Sequence, residues 1–402
     1  MYNSGYYISI GAGKNQLPLI HKAKQLGLKV IAVDQNKDAV GFKYSEIKIL
    51  HSILDFRKIY ATVLKLFLEE PIIGIGVRSY GKAVLTASYL AEKFNLINTS
   101  LDILRPFYNK KTMKAFLGQN GIPVPTSYIW RYQKDFYDLV SKVSYPCILK
   151  PVDNIAKLGI EIFDNKEELL NRLTQLKARN EKFLLEEFIN GKEITVLGFV
   201  QNQKFTLVSI SDKITTDFPP YLELSHQLPS KQEQHLGEVH LLCQSIVNLT
   251  NLDNSPFVAE FKISDNGKIY LIEVMPEIGG EYLADLLIPE FYQYDYFKNY
   301  IKMTLGERIE SVDSQKIKKK NSIGQICFIA PPEGSSKFIQ SNNVSIKGDR
   351  IFLNEKLKDY NSILNTKEGN SARVGVIGVI SSSKTPEELD NEIRKNFNAK
   401  FE

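Results

Sequence analysis

The chain has 402 residues, a length that predicts two or three domains. Hydrophobic residues make up 43% of it and charged residues 24%, which is ordinary for a globular protein and excludes a disordered or low-complexity chain. The net charge of +5 is thinly spread along the chain. No apolar run comes near the length of a membrane span, which is about 18 residues. Three cysteines are too few for a disulfide framework. These features predict a cytoplasmic protein that binds neither nucleic acid nor membrane.

Strands and helices alternate through the first hundred residues. Strand patterns at 6–10, 29–33 and 72–77 take turns with helix patterns at 16–26, 56–67 and 82–93. This alternation predicts a parallel, doubly wound sheet.

A G-x-G turn at residues 11–13 follows the first predicted strand. Such a turn can bring a phosphate to backbone N–H groups. Gln16 stands where a dinucleotide-binding motif has its third glycine, and Asp34 resembles a ribose-binding acid but is equally plausible as a helix or turn cap. A nicotinamide-dependent oxidoreductase is therefore an alternative hypothesis on a weak signal.

The composition changes from about residue 105. A lysine-rich helix predicted at 106–118 precedes the connector GIPVP at 121–125, whose prolines favour extended backbone. A β-rich stretch with inserted helices follows, and a polar break at 310–321 precedes a last segment of short strands. The predicted domains are 1–105, 106–310 and 311–402.

Two apolar strands of the middle region carry or precede charged residues. The strand at 145–150 ends in Lys150, whose ammonium needs a partner because burying an unpaired charge is expensive. That partner is either a nucleotide phosphate or a nearby carboxylate. The strand at 183–187 runs into a short hinge whose backbone could serve an adenine edge, and Glu193 beyond it could accept ribose hydroxyls.

An Asn-Gly-containing turn joins the apolar segments 257–262 and 269–274 into a predicted hairpin. Each strand carries one acid, Glu260 or Glu273. Two facing carboxylates would repel unless they are protonated or bridged by a cation, and oxygen ligands suit Mg²⁺. The alternative is that Glu260 pairs with Lys262 or another base on an exposed face.

The order of these features resembles the ATP-grasp superfamily of carboxylate–amine ligases over nearly the whole chain. The resemblance is to the branch of amino-acid and dipeptide ligases and carbamoyl-phosphate-synthase-like enzymes. It is carried by NKKTMK at 109–114 before GIPVP, YPCILK at 145–150, the hinge EEFINGKE at 186–193 and the two-acid hairpin. It implies a mixed α/β and α+β fold, with an N-terminal Rossmann-like pre-ATP-grasp domain, a two-lobed ATP-grasp domain and a small β-rich C-terminal lobe.

The resemblance also implies an ATP site. Lys110, with Lys111 as its near competitor, and Lys150 would contact the phosphates, and Glu193 would hold the ribose. The other implied residues are Glu186, Glu187 and Ile189 beside the adenine, and Glu260 and Glu273 on Mg²⁺, with Mn²⁺ as an alternative ion. The chemistry of the family is phosphorylation of a carboxylate by ATP, followed by attack of an amine on the acyl phosphate.

Three positions depart from the family pattern. Met275 stands where many members have an asparagine metal ligand, and its thioether is mismatched to a hard cation. Glu277 reverses the charge of a family arginine. The loop over the phosphates, 153–159, has one glycine and Lys157, which could replace backbone donors.

The stretch 212–229 resembles the substrate-side loop of ATP-grasp amino-acid and dipeptide ligases. Its Lys213 is a catalytic candidate, as is His226, whose pKa suits moving a proton near neutrality, although a surface-loop histidine is the alternative. Arg78 follows a parallel strand at its carboxyl end, where α/β sheets bind ligands. It is a candidate for a substrate carboxylate or for an ordinary salt bridge.

Glu277, alone or with Glu281, is expected to face an ammonium or guanidinium group of a substrate. The alternative is that it pairs with Arg78, Lys213 or Lys262 and closes its loop. Gly279 and Gly280 in the same loop could let backbone approach a substrate.

These features predict an ATP-dependent ligase that joins a small carboxylate to an amine and releases ADP and phosphate. The expected carboxylate substrate is an amino acid. Its partners would be small molecules, and a homodimer is the expected assembly. The alternatives are an ATP-dependent carboxylase of a purine precursor and a degenerate ATP-binding regulatory protein. The predicted catalytic residues are Lys150, Lys213, His226 and Lys262.

Overall fold

The computed structural model describes residues 5–79, 81–130, 136–151, 159–176, 183–312 and 322–402. Lys157, most of the predicted loop 153–159 and most of the polar break at 310–321 lie outside these ranges, as does the side chain of Lys110. No helix within these ranges is long and apolar enough to cross a membrane.

The N-terminal part of the chain is a parallel sheet, which confirms the prediction from strand and helix alternation. Its strands are β1 (Tyr6–Ile10), β2 (Lys29–Asp34), β3 (Ile47–Leu50) and β4 (Ile72–Val77), in the order β3-β2-β1-β4. Its helices are α1 (Leu17–Gln25), α2 (Phe56–Val63) and α3 (Lys82–Lys93). Strand β3 was not predicted, because it is short, lies at the sheet edge and has only one buried residue.

A second sheet, here called the small sheet, is antiparallel. Helices α4 (Leu101–Leu104) and α5 (Lys110–Gln119) lead to it, and Asn109 caps α5 by accepting the N–H of Thr112 at 3.2 Å. Its strands are β5 (Ser127–Trp130), β6 (Cys147–Pro151), β7 (Glu161–Phe163) and β8 (Phe183–Glu187), in the order β5-β8-β6-β7. Its helices are α6 (Phe136–Lys142) and α7 (Lys166–Leu176).

The third sheet, here called the central sheet, has eight antiparallel strands. The first five are β9 (Gly191–Gln201), β10 (Lys204–Thr215), β11 (Glu223–Leu228), β12 (Ser255–Ser264) and β13 (Ile269–Met275). The C-terminal segment adds β14 (Ile323–Ile329), β16 (Arg350–Lys356) and β18 (Gly375–Ser381), giving the order β13-β12-β9-β10-β11-β14-β18-β16. The C-terminal strands therefore continue the sheet that carries the predicted metal acids.

The remaining elements cover the central sheet or lie beside it. They are helices α8 (Leu236–Thr250), α9 (Ile288–Tyr292), α10 (Tyr296–Thr304) and α11 (Pro386–Phe397), and strands β15 (Ser335–Gln340), β17 (Ile363–Asn365) and β19 (Lys400–Phe401). A capping box begins α11, where Thr385 and Glu388 exchange hydrogen bonds.

Strand β9 shows how the two faces of the central sheet differ. Ile194 and Val196 point into the core shared with α8, while Leu197 and Phe199 point into the core shared with α10. At the start of the strand, Glu193 lies on the same face as Leu197 and is half-buried. That face therefore changes from apolar to charged toward the start of β9, and the charged part forms the candidate site.

Candidate active site

The register of the central sheet places the candidate site residues of its strands on one face, because directly paired residues project to the same side. Glu260 of β12 pairs with Glu273 of β13, so the two predicted metal acids do lie opposite each other. A neighbouring row runs across four strands through Lys262, Glu193, Lys213 and His226.

Lys213 is the buried cation of this face. Its Nζ lies 2.7 Å from Glu260 Oε1, 3.0 Å from Glu223 Oε1 and 3.7 Å from Glu193 Oε2. Burial alone would lower the pKa of Lys213, but Glu223, Glu260 and Glu193 raise it well above its ordinary value. The side chain is therefore an ammonium at neutral pH, suited to neutralise negative charge and unsuited to accept a proton.

A β-bulge brings Glu223 to Lys213. The pairing of β10 with β11 shifts between Ile214 and Thr215, so that β11 has one extra residue there. Without the extra residue, Glu223 would share the face of Ser225, away from Lys213. The stretch 212–229 gave no separate signal for Glu223, because a β-bulge has no clear pattern in the sequence.

Arg373 reaches the same cluster from the C-terminal segment. Its Nη1 lies 2.8 Å from Glu281 Oε2 and 3.8 Å from Glu223 Oε2, and its guanidinium carbon lies 3.8 Å from the ring centroid of Phe328. Burial and the neighbouring Glu223 raise the pKa of Glu281, although Arg373 lowers it. Arg373 was not predicted, since nothing in the local sequence links it to a loop about ninety residues earlier.

Lys150 of the small sheet and Lys114 of α5 share one carboxylate. Glu186 is buried, with Oε1 2.6 Å from Lys114 Nζ and Oε2 in an ion pair with Lys150 Nζ. Burial alone would raise the pKa of Glu186, but the two lysines lower it to about 2. The nearby carboxylate is thus one of the two partners expected for Lys150, and phosphate contact stays a prediction.

Lys114 had no assigned role in the sequence analysis, yet it connects the two halves of the site. Burial and the neighbouring Lys150 lower the pKa of Lys114, although Glu186 and Glu273 favour its charged form. The influence of Glu273 places the two-acid hairpin within electrostatic range of Lys114. A backbone contact supports this arrangement, since the N–H of Leu271 on β13 donates to the carbonyl of Pro123 at 2.8 Å.

The hinge after β8 is held by its own backbone contacts. The N–H of Glu187 donates to the carbonyl of Thr126 at 2.9 Å, so a contribution of Glu187 to an adenine would have to come from its carbonyl. Ile189 is buried, and Glu193 Oε1 lies 3.6 Å from Lys262 Nζ. That ammonium also lies 4.8 Å from the ring centroid of Phe188.

His226 is not a surface-loop histidine. It lies on β11 between β10 and β14, with 2% of its surface exposed, and its Nδ1 is 3.4 Å from Ser211 Oγ. The surface-loop alternative is wrong because the segment around it forms a strand of the central sheet. Its catalytic role stays a prediction.

The loop after β13 uses its acids to join separate parts of the chain. The guanidinium of Arg78 donates to Asp285 from Nε at 3.1 Å and from Nη2 at 2.7 Å, an ion pair of the kind considered as the alternative to a substrate role. Glu277 is buried, and its Oε1 accepts the N–H of Gly81 at 2.6 Å where α3 begins. Neither expected arrangement of Glu277 describes this contact, which suits a carboxylate because helix N-termini are electropositive.

The two glycines of that loop have structural contacts. A Cβ on Gly279 would lie 2.5 Å from Leu197 Cδ2, so the loop needs glycine there to approach β9. The carbonyl of Gly280 accepts the N–H of Leu283 at 3.0 Å. A ligand contact at either glycine stays a prediction.

The G-x-G turn is occupied by the chain's own side chains. Asp34 Oδ2 accepts the N–H of Ala12 at 2.9 Å, and Gln16 Oε1 accepts the N–H of Gly13 at 3.0 Å. Gln16 also donates to the carbonyl of Arg78. Asp34 therefore caps the turn, and these contacts count against the oxidoreductase hypothesis.

The hairpin acids suit a hard divalent cation. Burial raises the pKa of Glu260, and the carboxylates of Glu223, Glu273 and Glu193 raise it further. Lys213 lowers it, but the net shift of the pKa is upward. A bound cation would relieve this repulsion, and Mg²⁺ commonly takes one or two protein carboxylates together with phosphate oxygens. Over the described ranges no group of three or more His, Cys, Asp or Glu residues is arranged to hold a metal, so the prediction depends on these two acids.

The chain contains an ATP-grasp domain. Residues 143–285, which run from the small sheet through the hinge to the two-acid hairpin, match the family model described as the ATP-grasp domain. This match confirms the ATP-grasp recognition made from the sequence.

Solved structures resemble the chain along almost its entire length. An L-amino acid ligase from Bacillus licheniformis has a TM-score of 0.77 at 21% identity, with 98% of each chain covered. A phosphoribosylglycinamide synthetase from Anaerococcus prevotii has 0.74 at 20%, with 100% of each chain covered. An N5-carboxyaminoimidazole ribonucleotide synthetase from Thermotoga maritima has 0.71 at 18%, with 99% of each chain covered. At these identities the likeness establishes the fold, and it confirms the predicted fold class.

Proposed function

We propose that this protein is an ATP-dependent ligase that activates the carboxylate of an amino acid as an acyl phosphate for attack by an amine, releasing ADP and phosphate. The observation that carries the proposal is the presence of two groups of side chains, one with two lysines and the other with two facing carboxylates. Lys150 and Lys114 surround Glu186 on one side, and Glu260 and Glu273 face each other on the other. Phosphoryl transfer needs cationic side chains that contact the phosphates and carboxylate ligands that bind the metal ion.

The nucleotide would lie between these groups. Lys150 would bind phosphate oxygens, the hinge at Glu187 and Ile189 would border the adenine, and Glu193 would accept the ribose hydroxyls. Glu193 has two cations within 4 Å, Lys213 at 3.7 Å and Lys262 at 3.6 Å. These cations keep it ionised and able to accept hydrogen bonds.

Glu260 and Glu273 would hold the divalent cation. When bound, Mg²⁺ supplies charge neutralisation on the phosphates. Lys213, 2.7 Å from Glu260 Oε1, would steady that carboxylate and limit the negative charge of the site.

The substrate side favours an amino acid because it offers both signs of charge. Glu223 and Glu281 supply carboxylates for an ammonium group, and Arg373 supplies a guanidinium between them. The similarity in fold to an L-amino acid ligase supports the same choice. A cytoplasmic location and a homodimer stay part of the proposal.

The test is a screen of pooled amino acids and small amines with ATP and Mg²⁺, read by ADP release and by the mass of the product. The proposal expects ADP release that needs both substrates, and a product that has lost one water relative to the two. The variant Glu273→Gln is the control for contaminating activity. ADP release that needs bicarbonate and a purine precursor would favour the carboxylase alternative, and nucleotide binding without turnover would favour the regulatory one.

A further inference from the structure

Glu186 holds two lysines at once, one through each carboxylate oxygen. Lys114 Nζ contacts Oε1 at 2.6 Å and Lys150 Nζ contacts Oε2. The side chains of Glu186 and Lys114 are 4% and 9% exposed, whereas that of Lys150 is 27% exposed. The group therefore has a buried carboxylate with one buried and one accessible cation.

The three residues come from different elements. Glu186 and Lys150 lie on the paired strands β8 and β6 of the small sheet, where Glu186 is opposite Ile148 and Lys150 is two residues further along. Lys114 comes from α5, which precedes that sheet. The contact between Lys114 and Glu186 therefore does not depend on the conformation of the Lys150 side chain.

The proposed function requires Lys150 to give up part of its contact with Glu186 when it binds a phosphate. A buried carboxylate that loses its only cation is strongly destabilised. With Lys114 in place, Glu186 keeps one charge-assisted contact throughout, so that Lys150 can move at a small cost.

We propose that Lys114 is a positioning residue, the resident counter-ion of Glu186 that frees Lys150 to bind ATP phosphate. This inference rests on the proposed function, since it needs a nucleotide at Lys150. In the absence of Lys114, Glu186 would retain Lys150 as its only cation among the described residues and would compete with the phosphate for it.

The experiment measures the ATP dissociation constant directly by titration calorimetry, with kcat as a second readout. Lys114→Met should raise the dissociation constant about tenfold or more and leave kcat at saturating ATP within about twofold, because the loss falls on nucleotide binding. Lys114→Arg should restore most of the affinity. Lys142→Met removes an exposed lysine paired with Asp138 and should change nothing.

The discriminating step repeats Lys114→Met in a Glu186→Gln background. With the buried charge gone, Lys150 has no carboxylate to leave, so the substitution should change ATP affinity less than about twofold there. An equal loss in both backgrounds would show that Lys114 acts through packing and would overturn the inference. If the single variant fails to fold, the double variant, which removes both charges, should still fold and bind as well as Glu186→Gln; weaker binding would equally overturn it.

Failure of the proposed function gives a different result. A wild-type protein that binds no ATP would overturn both the function and the inference. A wild-type protein that binds ATP with an affinity that Lys114→Met leaves unchanged would overturn the inference alone.

Discussion

Replacing Lys213 by methionine tests whether the charged face of the central sheet depends on one buried ammonium. The substitution keeps the length of the side chain and removes the cation shared by Glu260, Glu223 and Glu193. Glu223 keeps Arg373 at 3.8 Å and Glu193 keeps Lys262 at 3.6 Å. Glu260 loses the cation at 2.7 Å, its only ion-pair partner within the described part of the chain.

The magnitude follows from these contacts. Removing one partner of a buried ion pair costs about 3 to 5 kcal/mol. The two retained cations and the 31% exposure of the Glu260 side chain favour the lower end of that range. We expect the free energy of unfolding to fall by about 3 kcal/mol near pH 8. Lys262→Met is the matched control, because Lys262 is less buried and has one carboxylate partner among the described residues, at 3.6 Å. Its cost should be about 1 kcal/mol or less.

The loss should shrink as the pH falls. The pKa of Glu260 is already raised and would rise further without Lys213, so the folded variant binds a proton more readily than the unfolded chain. Such a carboxyl gains folded-state stability as the pH falls toward its folded pKa. The raised pKa of Lys213 itself affects stability only at alkaline pH, above its ordinary range, so it contributes no slope between about pH 5.5 and pH 8.

Urea unfolding of the wild type and both variants at these two pH values measures the effect. A loss below about 1 kcal/mol, or one that is the same at both pH values, would refute the electrostatic account of Lys213.

Three further substitutions test single roles. Lys150→Ala should weaken ATP binding by about 1.5 to 3 kcal/mol, since it removes a charge-assisted contact; an unchanged dissociation constant would rule out phosphate contact. Glu273→Gln should keep the fold but abolish turnover, because the amide keeps the shape and loses the anionic ligand; ATP hydrolysis at the wild-type rate with substrate present would make Glu273 structural. Glu277→Gln should lower the unfolding free energy by about 1 kcal/mol through its contact with Gly81. A raised KM for an amine substrate, with KM for ATP and stability unchanged, would instead support the role toward a substrate cation.

Local patterns predicted the parts of the molecule that depend on local physics. The apolar segments and the Asn-Gly turn predicted the hairpin, and the register then places Glu260 opposite Glu273. A local signal also begins α11, where the side chain of Thr385 accepts the N–H of Glu388. In each case residues close in sequence determine the structure.

The rest depends on contacts between distant segments. Arg373 meets Glu281 only because the C-terminal strands continue the central sheet, and nothing near residue 373 signals that contact. Glu277 accepts a backbone N–H about two hundred residues earlier in the chain, a contact that the local sequence does not signal, and its role toward a substrate stays a prediction. Lys114 lies within the motif NKKTMK, yet its ion pair is with Glu186, on a strand about seventy residues later in the chain.

The most direct test of the ligase mechanism uses an amino acid substrate labelled with ¹⁸O in its carboxylate. An acyl phosphate intermediate transfers one carboxylate oxygen to phosphate when the amine attacks, so one ¹⁸O should appear in the released inorganic phosphate for each amide bond formed. Mass spectrometry of the phosphate measures this transfer. Amide formation with unlabelled phosphate would contradict the mechanism, as would ADP release with no ¹⁸O transfer from any amino acid in the screen.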